Sequence, residues 1–158
     1  MQQQKMKSQL KNHVEVFTTS QVLELFNLKP ERFRQWIKLK FITPYIQATG
    51  SGQTHYFIKN NLYVIGLFIH LCNAGLNRVV ASHLAHEIFY DLWTETLYFE
   101  EHAWLIAVWP DNPEKKRDQL KNIEIYIGTN PVPDLRDIGT ALVVNLKKVM
   151  GTIDAKIS

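Results

Sequence analysis

Apolar positions set the layout of the first third of the chain. Val22, Leu25 and Phe26 recur at helical spacing, and so do Phe33, Trp36 and Ile37. Between these groups lie Asn27, which tolerates a left-handed turn, and Pro30, which suits a first helical position because its missing N–H costs nothing there. Thr18 and Gln21 fit a capping box at the start of the first helix. The pattern then changes period. Residues 41–46 and 54–57 look extended on either side of Gly50-Ser51-Gly52, which predicts two short strands around a Gly-rich tip.

The middle of the chain is greasier. Asn60-Asn61 is expected to cap a helix from near Leu62, in which Leu62, Val64, Ile65, Leu67, Phe68, Ile69 and Leu71 leave little polar surface, so the helix should be buried. Gly75 closes it, and Asn77 opens another that is expected to run to about Trp93 or Thr96, with Val79, Val80, His83, Leu84, Glu87, Ile88 and Leu92 in a helical period. Strands are predicted at 103–109, 123–127 and 141–144. Asp111-Asn112-Pro113 is a turn signal, residues 114–122 a charged loop or helical turn, and residues 128–139, with Pro131 and Pro133, a loop. Asn145 then caps a last helix carrying Leu146, Val149, Met150 and Ile153 on one face.

The expected fold class is mixed α+β: a winged helix-turn-helix, a helical connection, and a small antiparallel sheet with a C-terminal helix. The expected divisions are a flexible arm at 1–15, a DNA-binding domain at 16–75, a connecting or dimerisation helix at 76–97 and a small α+β domain at 98–158. A chain of 158 residues is long enough for this and for a real core.

Charge sharpens the picture. The net charge is only +3, but residues 1–60 hold nine Lys/Arg against three Glu, whereas the remainder holds nine against twelve acidic residues. A basic front half suits contact with phosphates, and its cations cluster on the second predicted helix. That helix, Pro30 to Lys40, is therefore expected to enter the major groove of double-stranded DNA. Arg32, Gln35 and Lys38 are the candidates for base edges or adjacent phosphates, Arg34 and Lys40 for phosphate clamps, and Thr54, His55 and Tyr56 for tracking the backbone or minor groove.

The same residues resemble the DNA-binding domain of the mercury-resistance-regulator (MerR) family. The matching pieces are Phe17-Thr18, the run from Leu28 to Trp36, Phe41-Ile42-Thr43-Pro44, Gly50-Ser51-Gly52, Phe57 through Leu62, and Asn73-Ala74-Gly75-Leu76, together roughly half the chain. The resemblance implies a dimeric transcriptional regulator and places Arg34 on the family's common phosphate-contacting Arg. This chain departs from the pattern in three places. Lys29 stands where a small capping residue is usual, Gln35 where a Tyr is usual, and Thr54-His55-Tyr56 where the wing strand usually carries an Arg. The strand-and-helix end of the chain resembles extensions on some proteins of this type. Two other readings fit the pattern: an architectural DNA binder of the phage-excisionase or packaging-subunit type, and a protein–protein adaptor with a degenerate winged domain.

Other chemistry is sparse. His83 and His86 lie three apart with Glu87 beside them and can share a helix face, but no standard ligand spacing is met, so no metal site is expected. Cys72 is the single cysteine, which excludes an intramolecular disulfide and suits a reducing cytoplasm, as expected of a bacterial nucleoid-associated protein. Trp93, Tyr98, Phe99, Trp104 and Trp109 either line a pocket for a flat or apolar effector or form the core of the sheet or a dimer interface, and the C-terminal domain is the expected place for a small-molecule or protein effector. Gly50-Ser51-Gly52 lacks the Lys and helix of a phosphate loop, and the adjacent Glu100-Glu101 read as a solvated boundary. Neither an enzyme nor a cofactor is expected, and no apolar run approaches the ~20 residues of a membrane span.

Overall fold

A computed structural model describes residues 14–50, 52–91, 104–109, 124–128 and 140–158. The expected N-terminal arm up to residue 13, Ser51, the helix beyond Asp91, Trp93, Tyr98, Phe99, Glu100, Glu101 and the segments 110–123 and 129–139 lie outside the described residues. The chain is mixed α+β and divides into two compact units at the Leu62–Tyr63 junction.

The first unit opens with strand β1 (Val16–Thr18), followed at once by helix α1 (Thr19–Phe26). The capping box at this junction forms as expected: the Thr18 side chain accepts from the Gln21 N–H, and the Gln21 side chain accepts from the Thr18 N–H at 2.8 Å. Asn27 ends α1 in the left-handed conformation at φ 50°, and Leu28 N–H reaches back to the Leu23 carbonyl. Helix α2 (Pro30–Lys38) starts with Pro30 inside its first turn. Strand β2 (Tyr56–Ile58) pairs antiparallel with β1, Phe57 opposite Phe17, and runs directly into helix α3 (Lys59–Asn73).

The core of this unit is aromatic. Phe33 and Phe57 are wholly buried with ring centroids 5.7 Å apart, and Trp36 meets Phe33 edge-on at 6.5 Å and 71°. Val22 and Ile42 are buried in the same unit.

Asn61 has a different job from the expected one. Helix α3 begins three residues earlier than the apolar pattern suggested, so Asn60 and Asn61 sit inside its first turn. The buried Asn61 side chain accepts from Ile58 N–H at 2.9 Å and donates to the Thr43 carbonyl at 3.3 Å. A side chain at that helical position can reach back to an orphan N–H, so Asn61 caps from within and ties down the start of the 43–55 excursion.

In the second unit Tyr63 to Phe68 of α3 are buried except for Gly66, which is half-buried. Gly75, at φ 99°, closes the helix, and Leu76 N–H reaches the Leu71 carbonyl. Asn77 caps helix α4 (Arg78–His86) by accepting from Val80 N–H at 3.0 Å. The α-helix stops at His86 and widens into a π turn over Glu87–Asp91. Strands β3 (Trp104–Trp109), β4 (Glu124–Gly128) and β5 (Thr140–Asn145) form an antiparallel sheet in the order β4-β3-β5, with Leu105 opposite both Ile127 and Val144. Asn145 ends β5 and caps helix α5 (Leu146–Ile157), which lies against β3. Tyr63 packs against Phe89 with ring centroids 5.7 Å apart and donates its hydroxyl proton to Asp154 at 2.7 Å, fastening α5 to α3 within this unit.

Candidate nucleic-acid interface

Helix α2 buries one stripe and exposes the other. Phe33 and Trp36 face inward and Ile37 is half-buried. Arg34, Gln35 and Lys38 are exposed on the far side, where residues three and four apart become neighbours. Glu31 is exposed in the first turn, where its charge suits the positive end of the helix dipole. Arg32 lies on the flank of this face. Its guanidinium carbon is 5.9 Å from the centroid of the Trp36 ring.

Both ends of α2 break a local rule, and both carry lysine. Lys29 is the N-cap residue and has no side-chain cap bond, where Ser, Thr, Asp or Asn would supply one. Lys40 follows the C-cap at φ 60°, a conformation that favours glycine. It is held there by three backbone bonds: Leu39 N–H to Gln35, Lys40 N–H to Ile37 and Phe41 N–H to Trp36. The chain therefore turns sharply out of α2 with an exposed cation at the corner.

The excursion between α2 and β2 is closed by side chains more than by strands. One pair of backbone bonds, both 3.0 Å, joins Ile46 and Tyr56 and is the whole pairing between the two expected strands; the returning one does form, as β2, but its ladder is with β1. Tyr56 thus sits between Ile46 on one side and Thr18 of β1 on the other. Towards the tip, His55 Nδ1 accepts from Ala48 N–H at 3.1 Å, and Gln53 Oε1 accepts from the Thr49 N–H and hydroxyl at 3.1 and 2.9 Å. Gln53 N–H closes the turn onto the Gly50 carbonyl, helped by Gly52 at φ 76°. Accepting at Nδ1 requires that nitrogen to be unprotonated, and burial of the ring holds the His55 pKa below its ordinary value, so the imidazole is a neutral fastener.

The candidate residues therefore fall into three groups. Arg34, Gln35 and Lys38 share one exposed helix face, with Arg32 on its flank. Lys40 stands just past the helix. Thr54, His55 and Tyr56 are half-buried in the returning arm, where the His55 carbonyl accepts from the Thr19 and Thr54 hydroxyls at 3.4 and 3.3 Å. Sequence reasoning missed Gln53, Thr49 and Asn61 as the groups that hold this arm, and Trp36 as a platform for Arg32. The four-residue spacing of Arg32 and Trp36 was the readable signal for the last.

Elsewhere, His83 is exposed with Nε2 3.3 Å from a Glu87 carboxylate oxygen. Among the described residues no three of His, Cys, Asp and Glu gather as metal ligands, and no helix is long and apolar enough to cross a membrane. No protein-family model matches the chain, and no curated protein sequence matches it.

Proposed function

We propose that this protein binds double-stranded DNA sequence-specifically through a winged helix-turn-helix of MerR-like type, and that it acts as a homodimeric transcriptional regulator with any effector received by its C-terminal part. The observation that carries this reading is α2 itself. Its aromatic stripe is locked into a core while Arg34, Gln35 and Lys38 stay exposed together, with Lys40 at the corner beyond. The turn at Asn27, the bridge at Ile46 and Tyr56, and the direct passage of β2 into α3 support the winged layout.

Cations on such a face displace counterions from DNA. Three phosphate contacts per copy, from Arg34, Lys38 and Lys40, give a log–log salt slope of roughly −3 for one copy and about −5 for a pair. The test is a salt titration of the full chain on random duplexes, followed by sequencing of the bound fraction. A slope of that size with an enriched, roughly palindromic site supports the reading. Arg34→Ala should weaken binding to all sequences and flatten the slope by about 1 for one copy or about 2 for a pair, whereas Gln35→Ala should chiefly relax sequence preference. No binding at low salt rejects it in favour of the adaptor reading, which one feature favours: residues 47–56 contain no Lys or Arg.

A further inference from the structure

Arg32 differs from the other cations of α2 in being held. Trp36 is 5% exposed and pinned edge-on against the buried Phe33, so its ring is a fixed surface. The Arg32 guanidinium lies over that ring at 5.9 Å, within the roughly 6 Å over which a cation feels the negative face of an aromatic ring. Among the described residues no carboxylate pairs with it. A stacked guanidinium keeps its N–H edge free, and that edge is a rigid fork. Arg32 is also in the first turn of α2, the part of a second helix that reaches base edges when it docks in the major groove.

We infer that Arg32 is a specificity-determining residue that reads a guanine, donating two N–H bonds to its O6 and N7, and that Trp36 is the positioning residue that aims it. The inference rests on the DNA-binding reading above. Guanine is the base that presents two acceptors side by side in the major groove, matched to a planar fork. Arg34 and Lys38 have no such platform and serve as charge. A lysine at position 32 keeps the cation and loses the fork, which separates base reading from phosphate contact.

The experiment compares wild type with Arg32→Lys, Arg32→Ala and Trp36→Phe, all as full chains, on the same random-duplex pool and salt series. Expected for Arg32→Lys is an unchanged salt slope and loss of one strong guanine preference per half-site, a discrimination of roughly tenfold or more in wild type. Trp36→Phe, a smaller ring on the same stem, should blunt that preference with the slope intact. The inference is overturned if Arg32→Lys keeps the guanine preference, or if Arg32→Ala flattens the slope by about 1 per bound copy while leaving base preferences as they were. Wild type that binds no duplex overturns this inference and its parent together. Wild type that selects a site which Arg32→Lys selects equally well overturns this one alone.

Discussion

Replacing Lys40 tests whether the corner after α2 carries a cost for the sake of its charge. A residue with a Cβ in the left-handed region costs about 1–2 kcal/mol, because Cβ crowds the following carbonyl oxygen. Glycine escapes that cost but loses about 0.5–1 kcal/mol through the greater freedom of its unfolded chain. Lys40→Ala and Lys40→Gly both remove the ammonium group, and with it any favourable interaction with the negative end of α2, so their difference isolates the backbone term. At the observed φ of 60° the glycine variant should be more stable than the alanine variant by about 0.5–1 kcal/mol. For a chain of 158 residues this is a rise of roughly 1–4 °C in Tm, within reach of thermal denaturation followed by circular dichroism. Duplex binding should respond to charge alone: both variants should lose affinity equally and flatten the salt slope by about 1 for one copy or about 2 for a pair. Equal melting temperatures would refute the strain argument. Unequal salt slopes would refute the assignment of the binding effect to charge.

Three further outcomes are expected. Lys29→Ser supplies the side-chain acceptor that the start of α2 lacks and should stabilise the protein by about 1 kcal/mol in urea unfolding, with no gain counting against the cap geometry. Asn61→Ala strips the acceptor from Ile58 N–H and the donor from the Thr43 carbonyl, and should cost about 1–3 kcal/mol; a loss below the scatter of surface mutations would show that these groups find other partners. Because burial lowers the His55 pKa in the folded chain, the unfolded chain takes up the proton first. The stabilising contribution of neutral His55 is complete above about 6.5 and is lost as pH falls through the lower folded value. Protonation at Nδ1 also removes the acceptor for Ala48, so the Ala48 amide should lose hydrogen-exchange protection, once the intrinsic rate is corrected, as pH falls through the folded His55 titration followed by NMR, and protection unchanged across that titration would exclude His55 as the fastener.

What could be read from sequence was mainly local chemistry at the ends of elements. Thr18 with Gln21, Asn27, Pro30, Gly75, Asn77 and Asn145 each answer a need that arises within a few residues, an orphan N–H or a left-handed turn, and each does so where expected. The inward stripe of Phe33 and Trp36 followed from the helical period in the same way. The misreadings arose where a distant group decides. Asn61 looked like an outside cap because its partner, the Thr43 carbonyl, is eighteen residues away. The arm around Gly50 and Gly52 looked like a ladder because its residues favour extension. His55 and Gln53 instead satisfy the backbone N–H groups of Ala48 and Thr49 that strand pairing would have taken. The order β4-β3-β5 depends on pairings between remote segments, and no short-range signal encodes it.

The single bridge between Ile46 and Tyr56 gives the arm an unusual tolerance. A ladder fixes length, since adding one residue turns every later side chain to the opposite face. Here the closing bonds sit at Ala48, Thr49, Gln53 and His55, and beyond the bridge no ladder of paired residues has to be kept in register. Extra residues spliced in at the tip give up the Gln53 N–H bond to the Gly50 carbonyl and otherwise face mainly loop-closure entropy, which grows by about 0.6 kcal/mol for each doubling of length. The tip is accordingly the place where this chain can lengthen its reach or carry a grafted peptide while the aromatic core behind it stays as it is.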